Sequence, residues 1–168
     1  MNLDDIQSGS LCIIDTNILL YAEQGVSAQA QRLLRRCSTG ELIGVLPQTV
    51  WQELTHKLML GEAAMLGKIG GRNPAGQLAK KPDVIKSLSI YQEKIAALQN
   101  LGLGFEPCTQ KDLLEKAFEL QRKFGLLTNA SMVLATALRL GAEVLVSADA
   151  AFRQIPEPIV ASPSDLRI

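Results

Sequence analysis

The chain reads as an α/β protein, a three-layer α/β/α sandwich around a mostly parallel sheet, and three observations predict this. A short unbroken apolar run at residues 11–14 and mainly apolar stretches at 42–46 and 144–147 have the pattern of strands buried on both faces. Longer segments between them carry apolar residues three and four apart, the period of an amphipathic helix. Helix-start and helix-stop residues separate the two kinds in regular alternation, which marks βα units rather than an all-strand or all-helix domain.

Residues 11–14 form the first expected strand and end at Asp15. Thr16 or Asn17 can cap a helix beginning ILLYA, and Ser27 can cap a second through AQAQRLLRR that stops near Gly40. Residues 42–46 are the second strand. Thr49 then caps a helix whose Val50, Leu54 and Leu58 make an apolar stripe with Glu53 on its margin. The stretch GKIGGRNPAGQLAKKP, residues 67–82, is rich in Gly, Pro and Lys, and reads as a mobile connection or a helical hairpin tip. A long helix is expected over 83–101, closed by Gly102, then a short strand over 104–107 and a helix over 111–124 ending at Gly125. Asn129 caps a helix through SMVLATALRL that terminates at Gly141. Residues 144–147 follow as a buried strand and 159–161 as an edge strand.

At 168 residues the chain fits a single domain, residues 1–168, able to bury roughly two thirds of its unfolded surface. Basic and acidic residues balance at 17 each, so net charge gives no argument for nucleic acid, and any such partner must be held locally or through metal ions. Cys12, Cys37 and Cys108 are odd in number and lack CxxC spacing, which argues against a disulfide framework and a structural zinc site and favours a reducing cytoplasm. Asp4 and Asp5 stand where a signal peptide carries basic residues, and Asp15 interrupts the first apolar run, so neither export nor a membrane span is expected.

In open α/β sheets, ligands bind beyond the carboxyl ends of the strands, where strand order reverses. Asp15 and Asp149 each follow a buried strand by one or two residues, and Glu53 can join them from its helix. Like charges about 4 Å apart repel by roughly 1 kcal/mol in water and about 4 kcal/mol near a protein surface, so such a cluster wants a cation. Hard oxygen ligands without Cys or clustered His select Mg²⁺ or Mn²⁺, ions that retain waters and bind phosphate oxygens. Phosphodiester hydrolysis through a metal-activated water is the chemistry implied.

The segments LCIIDTNILLYA, TVWQELTHKL, QKDLLEKAFELQRKFGLL and GLLTNASMVLATALRLGAEVLVSADAAF resemble the PIN-domain family, which includes the VapC toxins of toxin–antitoxin pairs. The resemblance covers nearly the whole chain. It implies a five-stranded parallel sheet flanked by helices, Asp15, Glu53 and Asp149 as metal-binding catalytic acids with Mg²⁺ or Mn²⁺, an RNA substrate, an antitoxin partner and a homodimer. Family members usually carry an aspartate directly after the Thr-Asn that opens the penultimate helix, where this chain has Ala130. Ala130 shares a helix face with Leu134 and Ala137, so the missing carboxylate would have pointed toward the cleft. Asn129 and Ser131 point about a third of a turn away. A weakened metal site and greatly reduced cleavage are therefore expected. Ala151 likewise stands where a further acid is frequent.

Plainer roles compete for each residue. Asp15 alone suits a helix cap, Asp149 a turn acid capping AAF, and Glu53 a solvated helix position. Thr16 and Asn17 can contact a phosphate or water, or cap locally. His56, the single histidine, reads as a partly exposed helix residue rather than a base, and Trp51 as core. Lys68 and Arg72, with Lys80, Lys81 and Lys86, form the densest basic stretch and can meet RNA phosphates or merely solvate a loop. Leu19, Leu20, Tyr21 and the helix over 28–34 offer apolar surface for self-association or an antitoxin, with core packing as the default. Two other functions stand beside the nuclease. One is a PIN-fold protein that binds RNA or an antitoxin without chemistry; the other, a distant third, is a phosphoryl-transfer enzyme with Asp15 as nucleophile, which wants a second acid where Asn17 stands.

Overall fold

The computed structural model describes residues 1–166. Five strands, β1 (Leu11–Ile14), β2 (Ile43–Pro47), β3 (Gly104–Glu106), β4 (Val144–Val146) and β5 (Ile159–Ala161), form one sheet in the order β3-β2-β1-β4-β5. Every neighbouring pair is parallel, with Leu11 opposite Ile43 and Cys12 opposite Val144. Successive residues of a strand point to opposite faces, yet Cys12, Ile13 and Ile14 are each wholly buried, so both faces of the sheet are covered. The expected three-layer arrangement is thus the observed one, and the bounds of all five strands agree with the expected ones to within one residue.

The helices are α1 (Thr16–Glu23), α2 (Ala28–Ser38), α3 (Gln48–Met65), α4 (Pro74–Ala79), α5 (Pro82–Ser87), α6 (Ile90–Leu98), α7 (Ala117–Phe124) and α8 (Thr128–Leu140). Ser27 caps α2 as expected, its hydroxyl accepting from the Ala30 N–H at 3.0 Å. Gly125 and Gly141 close α7 and α8 in the left-handed conformation, which only glycine adopts without strain. Leu19 and the α2 residues Ala30, Leu33 and Leu34 are buried, and Leu20 and Tyr21 pack against the core, so this apolar surface serves the fold itself.

Several expected boundaries shift. The N-cap of α1 is Asp15 rather than Thr16 or Asn17, α3 starts at Gln48 with no side-chain cap from Thr49, and α8 starts at Thr128 with Leu127 at its cap position. Residues 67–82 hold a short helix, α4, whose cap Asn73 accepts from the Gly76 N–H. Gln77 staples the turn before it by donating to the carbonyls of Gly70 and Arg72. The long helix expected over 83–101 is broken between α5 and α6. There Leu88 adopts an extended conformation and turns into a second apolar cluster with Ala63, Ile69 and Leu78. The buried Glu62 carboxylate of α3 takes the N–H groups of Ser89 and Tyr91 at 3.0 and 2.8 Å, which starts α6 afresh. Over 111–124, a π-helical stretch, Asp112–Lys116, precedes α7. Its Asp112 accepts from the Arg139 guanidinium of α8, so the two helices are tied at the point where the backbone widens.

Candidate functional site

Strand order reverses between β1 and β4, because β1 connects outward to β2 on one side and β4 to β5 on the other. At the carboxyl ends of these two strands opens a cleft of about 620 Å³. Asp15, Thr16, Asn17 and Tyr21 enter it from the first turns of α1, Glu53 and Lys57 from α3, Leu127 to Ala130 from the start of α8, and Ala148 and Asp149 from the end of β4. Acids at positions 15, 53 and 149 therefore share one space. Two helix N-termini, those of α1 and α8, face the same space, and their free N–H groups and dipoles favour anions.

Asp15 is the most heavily committed of the three acids. One oxygen accepts from the Thr16 N–H at 2.7 Å; the other accepts from Asn17 Nδ2 at 2.7 Å and Ser147 Oγ at 2.6 Å. Burial pushes its carboxyl above the ordinary range. The Ser147 hydroxyl and Thr16 N–H pull it back, and the charges of Glu53 and Asp149 push it up again. Asn17 is equally committed, since its amide also donates to Ser147 Oγ at 3.2 Å and its carbonyl accepts from the Ala148 N–H at 3.1 Å. Its side chain locks the end of β1 to the end of β4. Glu53 pairs with Lys57 Nζ at 2.7 Å and accepts from Asn129 Nδ2 at 3.2 Å. Asp149 is exposed and holds the following 3-10 turn by accepting from the Ala151 N–H at 2.9 Å. The plainer capping roles of Asp15 and Asp149 are thus real, and they coexist with membership of the cleft.

Ala130 lines the cleft and places only a methyl group there. Beside it, Asn129 reaches the cleft after all, presenting a neutral amide to Glu53, because the first turn of α8 stands open at its end. Ser131 is buried, donating to the Thr128 carbonyl and accepting from Gln121 Nε2. Lys68 and Arg72 are exposed in the connection after α3 and do not line the cleft. His56 is exposed and faces a different depression with Trp51. Trp51 itself is half-buried against the core, its ring 6.3 Å from that of Phe105.

Two residues that shape the site, Ser147 behind the cleft and Lys57 in it, escaped sequence reasoning. Ser147 bonds Asp15, accepts from the Asp149 N–H at 3.0 Å, and is wholly buried; a hydroxyl ending an otherwise apolar strand, two residues before an acid, was the available signal. Lys57 carried the i,i+4 spacing to Glu53 that predicts an ion pair on a helix.

Among the described residues, no group of three or more His, Cys, Asp and Glu side chains stands close enough together to hold one metal ion. The donor set nonetheless suits a hard divalent cation. Mg²⁺ needs only one or two carboxylates, with waters and phosphate oxygens completing its shell, and among the described residues the cleft offers three carboxyl groups and no sulfur. Thr16 Oγ1 is buried beside Asp15 without a hydrogen-bond partner, a further hard oxygen free to accept from an ordered water.

A model of the PIN domain matches residues 12–158. No curated protein matches the chain. Among solved structures, the VapBC2 complex of Rickettsia felis bound to a DNA fragment from its promoter is similar at 18% identity and TM-score 0.58, over 90% of this chain and 98% of that one. A toxin–antitoxin complex from Klebsiella pneumoniae is similar at 19% identity and TM-score 0.57, over 94% of this chain and 99% of that one.

Proposed function

The chain belongs to the PIN-domain family, and from that premise we propose that it is a VapC-like endoribonuclease dependent on Mg²⁺ or Mn²⁺, its cleavage weakened by Ala130. The observation that carries the reading is the cleft itself, where Asp15, Glu53 and Asp149, far apart in sequence, meet at the switch point of a parallel sheet. One or two of Asp15, Glu53 and Asp149 would hold the ion directly and the remainder through its waters; when bound, it would supply an activated water and offset charge on the phosphate. Asp15, held by Thr16, Asn17 and Ser147, presents its carboxylate in a fixed orientation. The N-terminus of α8 lines the cleft, and helix N-termini suit phosphate oxygens. Thr16 Oγ1, buried without a partner, is left to an ordered water beside Asp15, whereas Asn17 positions Asp15. The similarity to VapBC complexes supports an antitoxin partner for this chain as well.

A second reading, a PIN-fold protein that binds RNA or an antitoxin without cutting, is favoured by the methyl at position 130 and by the Lys57–Glu53 pair. Restoring the acid separates the two. Ala130→Asp is expected to raise Mn²⁺-dependent cleavage of single-stranded RNA by on the order of 10–100-fold, the range by which shell groups of metal sites change activity, and the added substitution Asp15→Asn removes the gain. Equal cleavage by the chain and by Ala130→Asp favours the binder.

A further inference from the structure

Among the described residues, Lys57 is the only cationic side chain lining the cleft, where it stands with three carboxyl groups. It lies one helical turn beyond Glu53 on α3, and its ammonium meets Glu53 Oε1 at 2.7 Å. The pair is open to water, with side-chain exposures of 46% for Lys57 and 28% for Glu53. An ion pair so exposed is weak and readily exchanged. Asn129 holds the other Glu53 oxygen, so the carboxylate is occupied on both sides by groups a divalent ion can displace.

Resting on the nuclease reading above, we infer that Lys57 is a substrate-positioning residue with two alternating partners: Glu53 while the cleft holds no divalent ion, and a phosphodiester oxygen of bound RNA once an ion has taken Glu53. An approaching polyanion is repelled by three carboxyl groups. A divalent ion offsets that repulsion, and the released ammonium adds positive charge on the same wall. Lysine suits the exchange, being a compact point charge on a flexible stem with three rotatable donors. The absence of an acid at position 130 sharpens the competition, because an incoming ion meets less negative charge and must displace the ammonium with fewer ligands. The same ammonium that weakens ion binding then strengthens RNA binding, and this opposition sets the inference apart from a surface ion pair.

Mn²⁺ titration by calorimetry, and anisotropy of a fluorescent single-stranded 2′-O-methyl RNA in the presence of Mn²⁺, test it on the full chain, Lys57→Gln and Lys57→Arg. Lys57→Gln is expected to bind Mn²⁺ about two- to fivefold more tightly, the worth of one exposed ion pair. The same variant binds the RNA several-fold more weakly, and its slope of log affinity against log salt is shallower by about 0.7, one single-strand phosphate contact. Lys57→Arg keeps the parent's salt slope. Either change in Lys57→Gln without the other, or neither, overturns the inference while leaving the nuclease reading standing. A parent chain that binds only one of the two probes also overturns the alternation, and one that binds neither overturns the nuclease reading and this inference together.

Discussion

Asp15 sits under opposing demands. It caps α1 and faces the cleft because a strand that ends in a helix N-terminus delivers its last side chain to both places at once. Burial, with the charges of Glu53 and Asp149, raises its carboxyl above the ordinary range against the pull of Ser147 and Thr16. The folded chain therefore holds this proton more tightly than the unfolded one. The stability that follows is fully present below the unfolded carboxylate value, about 3.9 for aspartate, and is lost as pH rises through the raised folded value. In the absence of divalent ions, the melting temperature should carry a component that falls over that window, and Asp15→Asn should flatten it. Melts recorded across pH for both chains check this; profiles of identical shape would remove Asp15 as the cause. Asp15, Glu53 and Asp149 were legible as candidates because strand-end and stripe-margin positions follow from local pattern. Ser147 and Lys57 were present in that same pattern, yet only their distances to Asp15 and Glu53 assign them a place.

At the scale of elements, the strands and the glycine stops of α7 and α8 follow from local periodicity and backbone freedom, and they stand where those place them. The break between α5 and α6 does not, since its cause is Glu62, a helix earlier in the chain. Burial pushes the Glu62 carboxyl up, but N–H donors from Tyr91, Ser89 and Ile90 and the charge of Lys94 outweigh it, and the net effect is a lowered value. Glu62 thus acts as an N-cap supplied from another helix, and it also closes the second apolar cluster. Glu62→Ala is expected to destabilise by about 0.5–2 kcal/mol, the range for losing a helix N-cap. Hydrogen exchange should rise in α4 to α6 before it rises in the sheet. Uniform loss of protection across the whole chain would show that the cluster is not a separate unit. β2 illustrates the opposite limit: a Cβ on Gly44 would lie 2.7 Å from Leu103 and 2.8 Å from Cys37 Sγ, so the interior there is full.

For the whole molecule, the cleft exists only when β1, α3, α8 and β4 are assembled. An ion binding across these elements binds the folded state and not the unfolded chain, and stabilises by mass action. Mn²⁺ at a hundred times its dissociation constant contributes about 2.7 kcal/mol, which for a domain of this size is a rise in melting temperature of roughly 5–10 °C. Calorimetric scans with and without Mn²⁺ measure it, and the rise should vanish in Asp15→Asn. A shift that survives in Asp15→Asn would locate the ion elsewhere. Among the described residues, no helix is long and apolar enough to cross a membrane.

By itself the sequence determined the layers, the five strands, the principal helices and which acids end at a strand or edge a stripe, because each of these is set by side-chain period and capping within a few residues. The tertiary structure alone decided which distant groups touch: Asn17 and Ser147 locking Asp15, Lys57 and Asn129 dividing Glu53, Glu62 restarting α6, and Lys68 and Arg72 standing away from the cleft. Spacing along a chain says which way a side chain points from its own element, whereas its partner depends on how elements cross, and that is settled by packing over the entire core.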